Sequence, residues 1–340
     1  MAVAALLTAG LFYALNLPLP WLLGPMLSTV LLKLKYPAEV KMSLKLRNLF
    51  LIPLGYNIGA NITIEACHEI VAQFAGISLS TLTSVFVCLI LAWWTSRATG
   101  VSYASSAIGN MPGGLTPMLL ICESIPKADI NVVVVLQTIR LMATIAVVPF
   151  LLAHGFGTSG DLATVIDMIE VVKANVPAWQ LVLVAVAGAV IGYIFNLPAQ
   201  FLLGPIITTG IFAIYTGLPL PEVAAPLIAV AQIVTGVYLG TCIDPFQLSK
   251  NTKLLPVALV GVIVIIATSF VTGYFLSQHY GFTVATAFLG CAPGGIAEMC
   301  ITGMVMGEDV TIILAYQLFR LLFLNLVMPV TLKWYFSRQP

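Results

Sequence analysis

The sequence predicts an all-α, polytopic membrane protein of two inverted-topology repeats, with about ten transmembrane helices plus two broken or re-entrant elements. Three observations carry this expectation. The 340 residues are 60% hydrophobic and only 8% charged, with a mean hydropathy of +1.06, where a soluble domain carries about a quarter charged residues. The chain repeats itself at a shift of about 180 residues. The basic residues then fall in loops that are not equivalent between the copies.

Each copy holds six apolar elements, over 2–16, 19–34, 44–62, 70–96, 103–122 and 129–153 in the first. In the second they are 179–195, 201–217, 222–243, 254–277, 282–306 and 309–335. Residues 2–16 lack the basic start and cleavage pattern of a signal peptide and read as a first membrane helix. The second element follows "NLPLPWLLGP" (16–25), which returns as "NLPAQFLLGP" (196–205), with Asn16 and Asn196 as turn residues. The third ends in "LGYNIGANI" (54–62), matched by "TGVYLGTCI" (235–243). There Gly55/Gly59 and Gly236/Gly240 have the spacing of close helix packing, with Asn57 and Tyr238 at equivalent positions beside them. The fourth is a plain apolar helix. The fifth carries "GNMPGGLTPML" (109–119) and "GCAPGGIAEMC" (290–300). The sixth pairs "ADINVVVVLQTIRL" (128–141) with "EDVTIILAYQLFRL" (308–321). These share Asp129/Asp309, expected as helix N-caps, as well as Gln137/Gln317 and Arg140/Arg320. The chain therefore divides into a membrane repeat over 1–153, a polar linker over 154–178 and a second repeat over 179–340.

Five crossings per copy invert the second repeat; six would keep it parallel. Lys33, Lys35, Lys41, Lys45 and Arg47 lie between the second and third elements, whereas the matching "TGLPLPE" (216–222) has no basic residue. The basic residues of the second copy, Lys250 and Lys253, come one element later, as inversion requires. If each PGG element dips in and returns, these residues and Arg97, Lys127, Lys333 and Arg338 share the cytoplasmic side with both termini.

Two copies of an "NLPxxxLLGP…GxxxG…PGG…D-x7-Q-x2-R" unit resemble the AbrB-type duplicated membrane protein family, over nearly the whole chain. The resemblance implies kinship with inverted-repeat transporters such as the sodium–bile acid symporters and auxin carriers. It also brings two inherited labels, regulator of another gene's expression and ammonia monooxygenase. The family shares its name with an unrelated soluble DNA-binding regulator, whose small β-rich domain has no counterpart in this sequence.

The chemistry concentrates where apolar segments hold groups that hydrocarbon disfavours. Pro112, Gly113 and Gly114, and Pro293, Gly294 and Gly295, break their elements and free backbone groups that must find partners. The expectation is a substrate site at half-helix ends, against the plainer alternative of packing kinks. Arg140 and Arg320 lie near mid-depth, where a guanidinium costs about 2.5–3.5 kcal/mol. With Gln137 and Gln317 one turn earlier, they read either as anion donors or as caps on the carbonyls of the broken helix. Glu298, matched by Pro117, is a candidate proton or sodium coupling site, or the partner of a buried arginine.

Composition and motifs exclude other classes. Net charge is +1, which gives no basic field for nucleic acid. Six cysteines without CxxC spacing and three scattered histidines give no metal site and no copper or di-iron centre. No nucleophile motif or phosphate loop appears. Neither an enzyme nor a cofactor is expected. The sequence-level expectation is a secondary transporter of a small, anionic metabolite coupled to protons or sodium, in the bacterial inner membrane, with a homodimer compatible. The alternative is a membrane-embedded sensor acting indirectly on gene expression.

Overall fold

A computed structural model describes residues 1–15, 17, 19–36, 40–113, 115–123, 125, 128–155, 178–197, 199–217, 220–221, 223–242 and 253–337. They form fifteen helices and no strand among the described residues. In chain order these are α1 (Ala2–Ala14), α2 (Pro20–Lys35), α3 (Leu44–Ala60), α4 (Ile64–Ala72), α5 (Phe74–Thr99), α6 (Tyr103–Asn110), α7 (Leu115–Glu123) and α8 (Ile130–Gly155). The second copy gives α9 (Ala178–Ile194), α10 (Gln200–Thr216), α11 (Ala225–Cys242), α12 (Leu254–Tyr280), α13 (Val284–Cys291), α14 (Ile296–Val305) and α15 (Val310–Ser337). Most of the polar linker, 156–177, and Gly114 of the first PGG lie outside the described residues.

Packing does not follow the sequence repeat. One compact unit comprises Met1–Val71, Ala153–Pro245 and Cys300–Thr311; the other comprises Ala72–Leu152, Phe246–Met299 and Ile312–Pro340. Each unit thus draws its helices from both copies.

In the first unit the two GxxxG stretches each pack on the LLGP helix of the other copy. Gly55 and Gly59 of α3 meet the carbonyls of Leu202 and Ile206 in α10, and Gly236 and Gly240 of α11 meet those of Leu22 and Met26 in α2. In both pairs the residue numbers rise together, so α3 runs parallel to α10 and α11 parallel to α2. Lys33 Nζ donates to the Thr241 carbonyl over 2.6 Å, which places the two ends of the α2/α11 pair side by side and sets a cation at a helix C-terminus. By contrast α3 opposes α11. The Arg47 guanidinium at the start of α3 covers the Tyr238 ring late in α11 at 5.0 Å. Near the end of α3, Asn57 Oδ1 accepts from Val223 N at 3.0 Å and Tyr56 Oη donates to Pro221 O at 2.9 Å, both just ahead of α11. Equivalent helices therefore run in opposite directions, and the inverted repeat follows from contacts alone.

The second unit repeats the lesson. Gly76 N at the start of α5 donates to Tyr280 Oη at the end of α12 over 3.1 Å, so these equivalent helices are also antiparallel. Both end on a left-handed glycine, Gly100 (φ 77°) and Gly281 (φ 83°), whose missing Cβ permits the αL C-cap. The fifth element of the first copy enters and returns. Ser105 Oγ near the start of α6 accepts from Asp129 N, just ahead of α8, at 2.7 Å. Between those two points the chain has run inward along α6, turned at the PGG and come back along α7.

The expected ten crossing helices correspond to α1, α2, α3, α5, α8, α9, α10, α11, α12 and α15. Of these, α5, α8, α11, α12 and α15 are long and apolar enough to cross a membrane by themselves. The helices α1, α2, α3, α9 and α10 have 13, 16, 17, 17 and 17 residues. At 1.5 Å per residue they span about 20–26 Å, less than the hydrocarbon thickness of about 30 Å. Between the third and fourth apolar elements the chain forms most of α4, with Ile64, Glu65, His68, Glu69 and Val71 exposed.

Candidate functional site

Both PGG breaks are built the same way. A hydroxyl starts each inner half-helix: Ser102 Oγ accepts from Ser105 N at 3.1 Å, and Thr283 Oγ1 from Thr286 N at 3.0 Å. The half-helix stops where the residue before proline is pushed to extended backbone, at Met111 (ψ 130°) and Ala292 (ψ 137°). A tight three-residue turn then spans each proline, with Gly113 N donating to Met111 O and Gly294 N to Ala292 O, both at 2.9 Å. Met111, Pro112, Gly113, Ala292 and Pro293 are buried, and Gly294 and Gly295 are half-buried.

The buried arginines and glutamines hold these breaks. Gln137 Nε2 donates to Ile108 O (3.0 Å) and Met111 O (2.8 Å); Gln317 Nε2 donates to Leu289 O (2.7 Å) and Ala292 O (2.9 Å). Arg140 Nη1 reaches Met111 O at 2.6 Å and Asn110 O at 3.4 Å, and Arg320 Nη1 reaches Cys291 O at 2.8 Å. In each copy the second guanidinium nitrogen, Nη2, donates to the Oε1 of its own glutamine, Gln137 or Gln317. Carbonyls at a helix C-terminus have no intrahelical donor and carry partial negative charge, so a cation there satisfies both deficits. Of the two readings of these four residues, the geometry displays the carbonyl cap. Arg140 Nε remains buried without a hydrogen-bond partner among the described residues.

The two clamps lie in the same compact unit. Glu298, 4% exposed, sits in the first turn of α14, where a carboxylate suits the positive helix end. Its carboxylate lies over Gly295, and a Cβ there would collide with Glu298 Oε2. Its counterpart is Pro117, so of the two outer half-helices only α14 carries a carboxylate in its first turn.

The other sequence candidates take structural places. Asp129 Oδ1 accepts from Asn131 N at 2.8 Å and Asp309 Oδ1 from Thr311 N at 2.9 Å, the N-caps expected of α8 and α15. Asn57, in the first unit, ties α3 to Val223 and donates to Met304 Sδ at 3.2 Å. Asn196 is a turn residue with φ 50°. The hydroxyl caps Ser102 and Thr283 were missed, although an S-x-x-S and a T-x-x-T at equal distance before each PGG gave the signal. No metal-binding cluster of His, Cys, Asp or Glu occurs among the described residues.

This duplicated, clamped break lies within a segment of wider similarity. The family described as transition state regulatory protein AbrB matches residues 21–336. The chain belongs to the AbrB family. Among AbrB-family relatives, a protein of Escherichia coli (strain K12) is 23% identical over 353 aligned residues, covering 100% of this chain and 97% of the relative. Its name, regulator AbrB, marks a role suggested for that protein. The protein YhjN of Bacillus subtilis (strain 168) is 24% identical over 291 residues, covering 81% of this chain and 75% of its own. Its name carries no activity.

Proposed function

We propose that this AbrB-family membrane protein is a secondary transporter of a small anionic metabolite, coupled to protons or sodium. The observation that carries the reading is the pair of clamped PGG breaks contributed by inverted repeats to one compact unit. Broken elements of inverted repeats are where transporters place substrate and ion sites, because half-helix ends offer unpaired backbone groups and dipole charge inside the bilayer. The two buried guanidiniums against the single Glu298 carboxylate favour an anion. Arg140, Gln137, Arg320 and Gln317 act in this reading by holding the breaks open. The PGG backbone and the outer half-helix starts meet the substrate, and Glu298 is the coupling group. The bacterial inner membrane, with cytoplasmic termini, is the location that fits the basic loops.

Purified protein in liposomes, given a panel of small labelled mono- and dicarboxylates with imposed proton or sodium gradients, tests this directly. Gradient-driven accumulation of a panel member is the expected result. No uptake, combined with a panel member that raises thermal stability, would instead support the second reading, a membrane-embedded sensor. That reading is favoured by the name of the Escherichia coli relative.

A further inference from the structure

Two helices of the first unit, α2 and α10, are too short for an ordinary bilayer, and their ends cannot be extended into it. A non-helical cap closes each end, at Leu19 and Tyr36 for α2 and at Ala199 and Gly217 for α10. Leu19 (φ 48°), Ala199 (φ 49°) and Gly217 (φ 61°) are left-handed and turn the chain out of the helix. Irregular backbone facing lipid would leave N–H and C=O groups unpaired in hydrocarbon, so these turns belong in water. The charged end of α2 agrees. Lys33 and Lys35 occupy its last turn, and the 2.6 Å hydrogen bond from Lys33 Nζ to the Thr241 carbonyl holds that ammonium at the depth of the helix end. It does not snorkel outward to more distant water.

The repeat marks the same thickness twice. Tyr13 and Trp21 meet at the start of α2 with ring centroids 6.2 Å apart, and their equivalents Tyr193 and Phe201 meet at the start of α10 at 6.4 Å. At the far ends, Lys35 Nζ lies 5.3 Å from the Tyr36 ring centre, and Tyr215 is 88% exposed. Trp and Tyr collect at membrane–water interfaces. At 1.5 Å per residue, the rise is about 22 Å from Trp21 to Tyr36 and about 21 Å from Phe201 to Tyr215. α2 runs parallel to α11, α10 parallel to α3, and α3 opposes α11, so α2 and α10 are antiparallel and each belt takes one end from each helix. Between the belts the same stripe is exposed in both copies: Leu27, Leu31 and Leu34 on α2, and Ile207, Ile211 and Ile214 on α10. An unperturbed bilayer offers about 30 Å of hydrocarbon, and tilting a helix only shortens its span.

We propose that this stripe is a lipid-docking surface that thins the bilayer beside α2 and α10 to about 20–25 Å of hydrocarbon and takes short-chain phospholipid in preference to long. A helix shorter than the bilayer thins it, snorkels its flanking side chains or is covered by another protein. Snorkelling is closed to Lys33 by its bond to Thr241, and α10 has no charged side chain to extend. Each ångström of mismatch has a modest cost, and a deficit of about 5–10 Å adds enough of them to select among acyl chains. The inference does not depend on the transporter reading, because a sensor with the same helices would meet the same lipids.

The test uses full-length protein with its six native cysteines replaced, in nanodiscs of eighteen-carbon phosphatidylcholine that expose both faces. Single substitutions Gln200→Cys and Tyr215→Cys mark the two ends of α10, and Ile263→Cys marks the exposed apolar face of α12. A hydrophilic maleimide attacks the thiolate, which forms only where water reaches. Both α10 ends should react at least about tenfold faster than Ile263→Cys. In nanodiscs mixing fourteen- and eighteen-carbon lipids, with one brominated at a time, a fluorophore on Ile211→Cys should be quenched at least about twofold more by the shorter lipid, and one on Ile263→Cys should not. Slow reaction at either end of α10 would overturn the proposal, since the helix would then sit in hydrocarbon of full thickness. So would equal quenching by the two lipids at Ile211→Cys. Absence of quenching there would overturn it too, and would show a second copy of the chain covering the stripe.

Discussion

Gly59→Ala perturbs the helix pairing on which the inverted architecture rests. A Cβ at this position would stand 2.6 Å from the Ile206 carbonyl oxygen and 2.9 Å from Thr209 Cβ. Ordinary contact begins near 3.4 Å, so α3 and α10 would have to part by roughly 0.8 Å. Backbone cannot swing aside as a side-chain tip can, and overpacking of this kind costs about 1–3 kcal/mol. The repeat predicts the same loss for Gly240→Ala, whose Cβ would meet Met26 O at 2.7 Å and Thr29 Cβ at 2.6 Å. Gly55→Ala combined with Gly59→Ala should cost less than the sum, because one separation relieves both collisions. Gly10→Ala is the control: nothing lies within 4 Å of its Cβ, and a helical alanine gains up to about 1 kcal/mol over glycine. Thermal unfolding in detergent, followed by intrinsic fluorescence, should show Gly59→Ala and Gly240→Ala melting several degrees below wild type and Gly10→Ala at or above it. If all three melt together, the close parallel pairing of α3 with α10 and α2 with α11 is wrong, and the inversion inferred from it fails.

Single-cysteine labelling should place Lys41 and Leu220 on opposite faces, and Ser102 and Ala128 on the same face; opposite faces for the last pair would show that the PGG element crosses. Arg320→Lys keeps the charge but loses one of two charge-assisted hydrogen bonds. It should lower stability by about 1.5–3 kcal/mol, with Arg140→Lys similar, and a wild-type melting curve for both would refute the clamp. Gln137→Leu strips a donor from the Ile108 and Met111 carbonyls and should cost about 1–3 kcal/mol, read from the same melts. Glu298→Gln removes a carboxylate from a helix start, for about 0.3–2 kcal/mol, and should retain substrate binding while losing gradient dependence. Unchanged gradient dependence would remove Glu298 from coupling.

Much of this was legible because membrane constraints are strict. A proline and two glycines inside an apolar run allow few structures, and Gln137 and Arg140 at mid-depth must bond to something polar. What they bond to was not legible, since the donors that suit a carboxylate suit the Met111 carbonyl equally well. Only the direction of α8 relative to α6 decides between them. GxxxG likewise announces that a backbone comes close to Gly55 and Gly59 without saying whose. That it is Leu202 and Ile206 of the other copy, and hence that packing units mix the repeats, is a long-range fact that no local pattern encodes. α4 was not among the apolar elements because Glu65, His68 and Glu69 interrupt its hydrophobic run.

Duplication also sorts the residues by purpose. What both copies need in order to fold, both copies keep: hydroxyl caps at Ser102 and Thr283, turns across Pro112 and Pro293, clamps at Gln137–Arg140 and Gln317–Arg320. Those parts explain how a broken element survives in hydrocarbon, and the same need in both copies is enough to account for them. A function that distinguishes substrate from coupling ion, or one side of the membrane from the other, requires the copies to differ. The differences are few and chemically directed. Glu298 stands where the first copy has Pro117, Cys291 where it has Asn110, and Ser269 and Thr272 where it has Cys88 and Leu91. All the second-copy members of these pairs lie on or beside the second break, in one compact unit. The hydrogen bonds of Arg140 and Arg320 to the break carbonyls are common to both copies. In the reading proposed above, Glu298 of the second copy is the group that sets the two breaks apart.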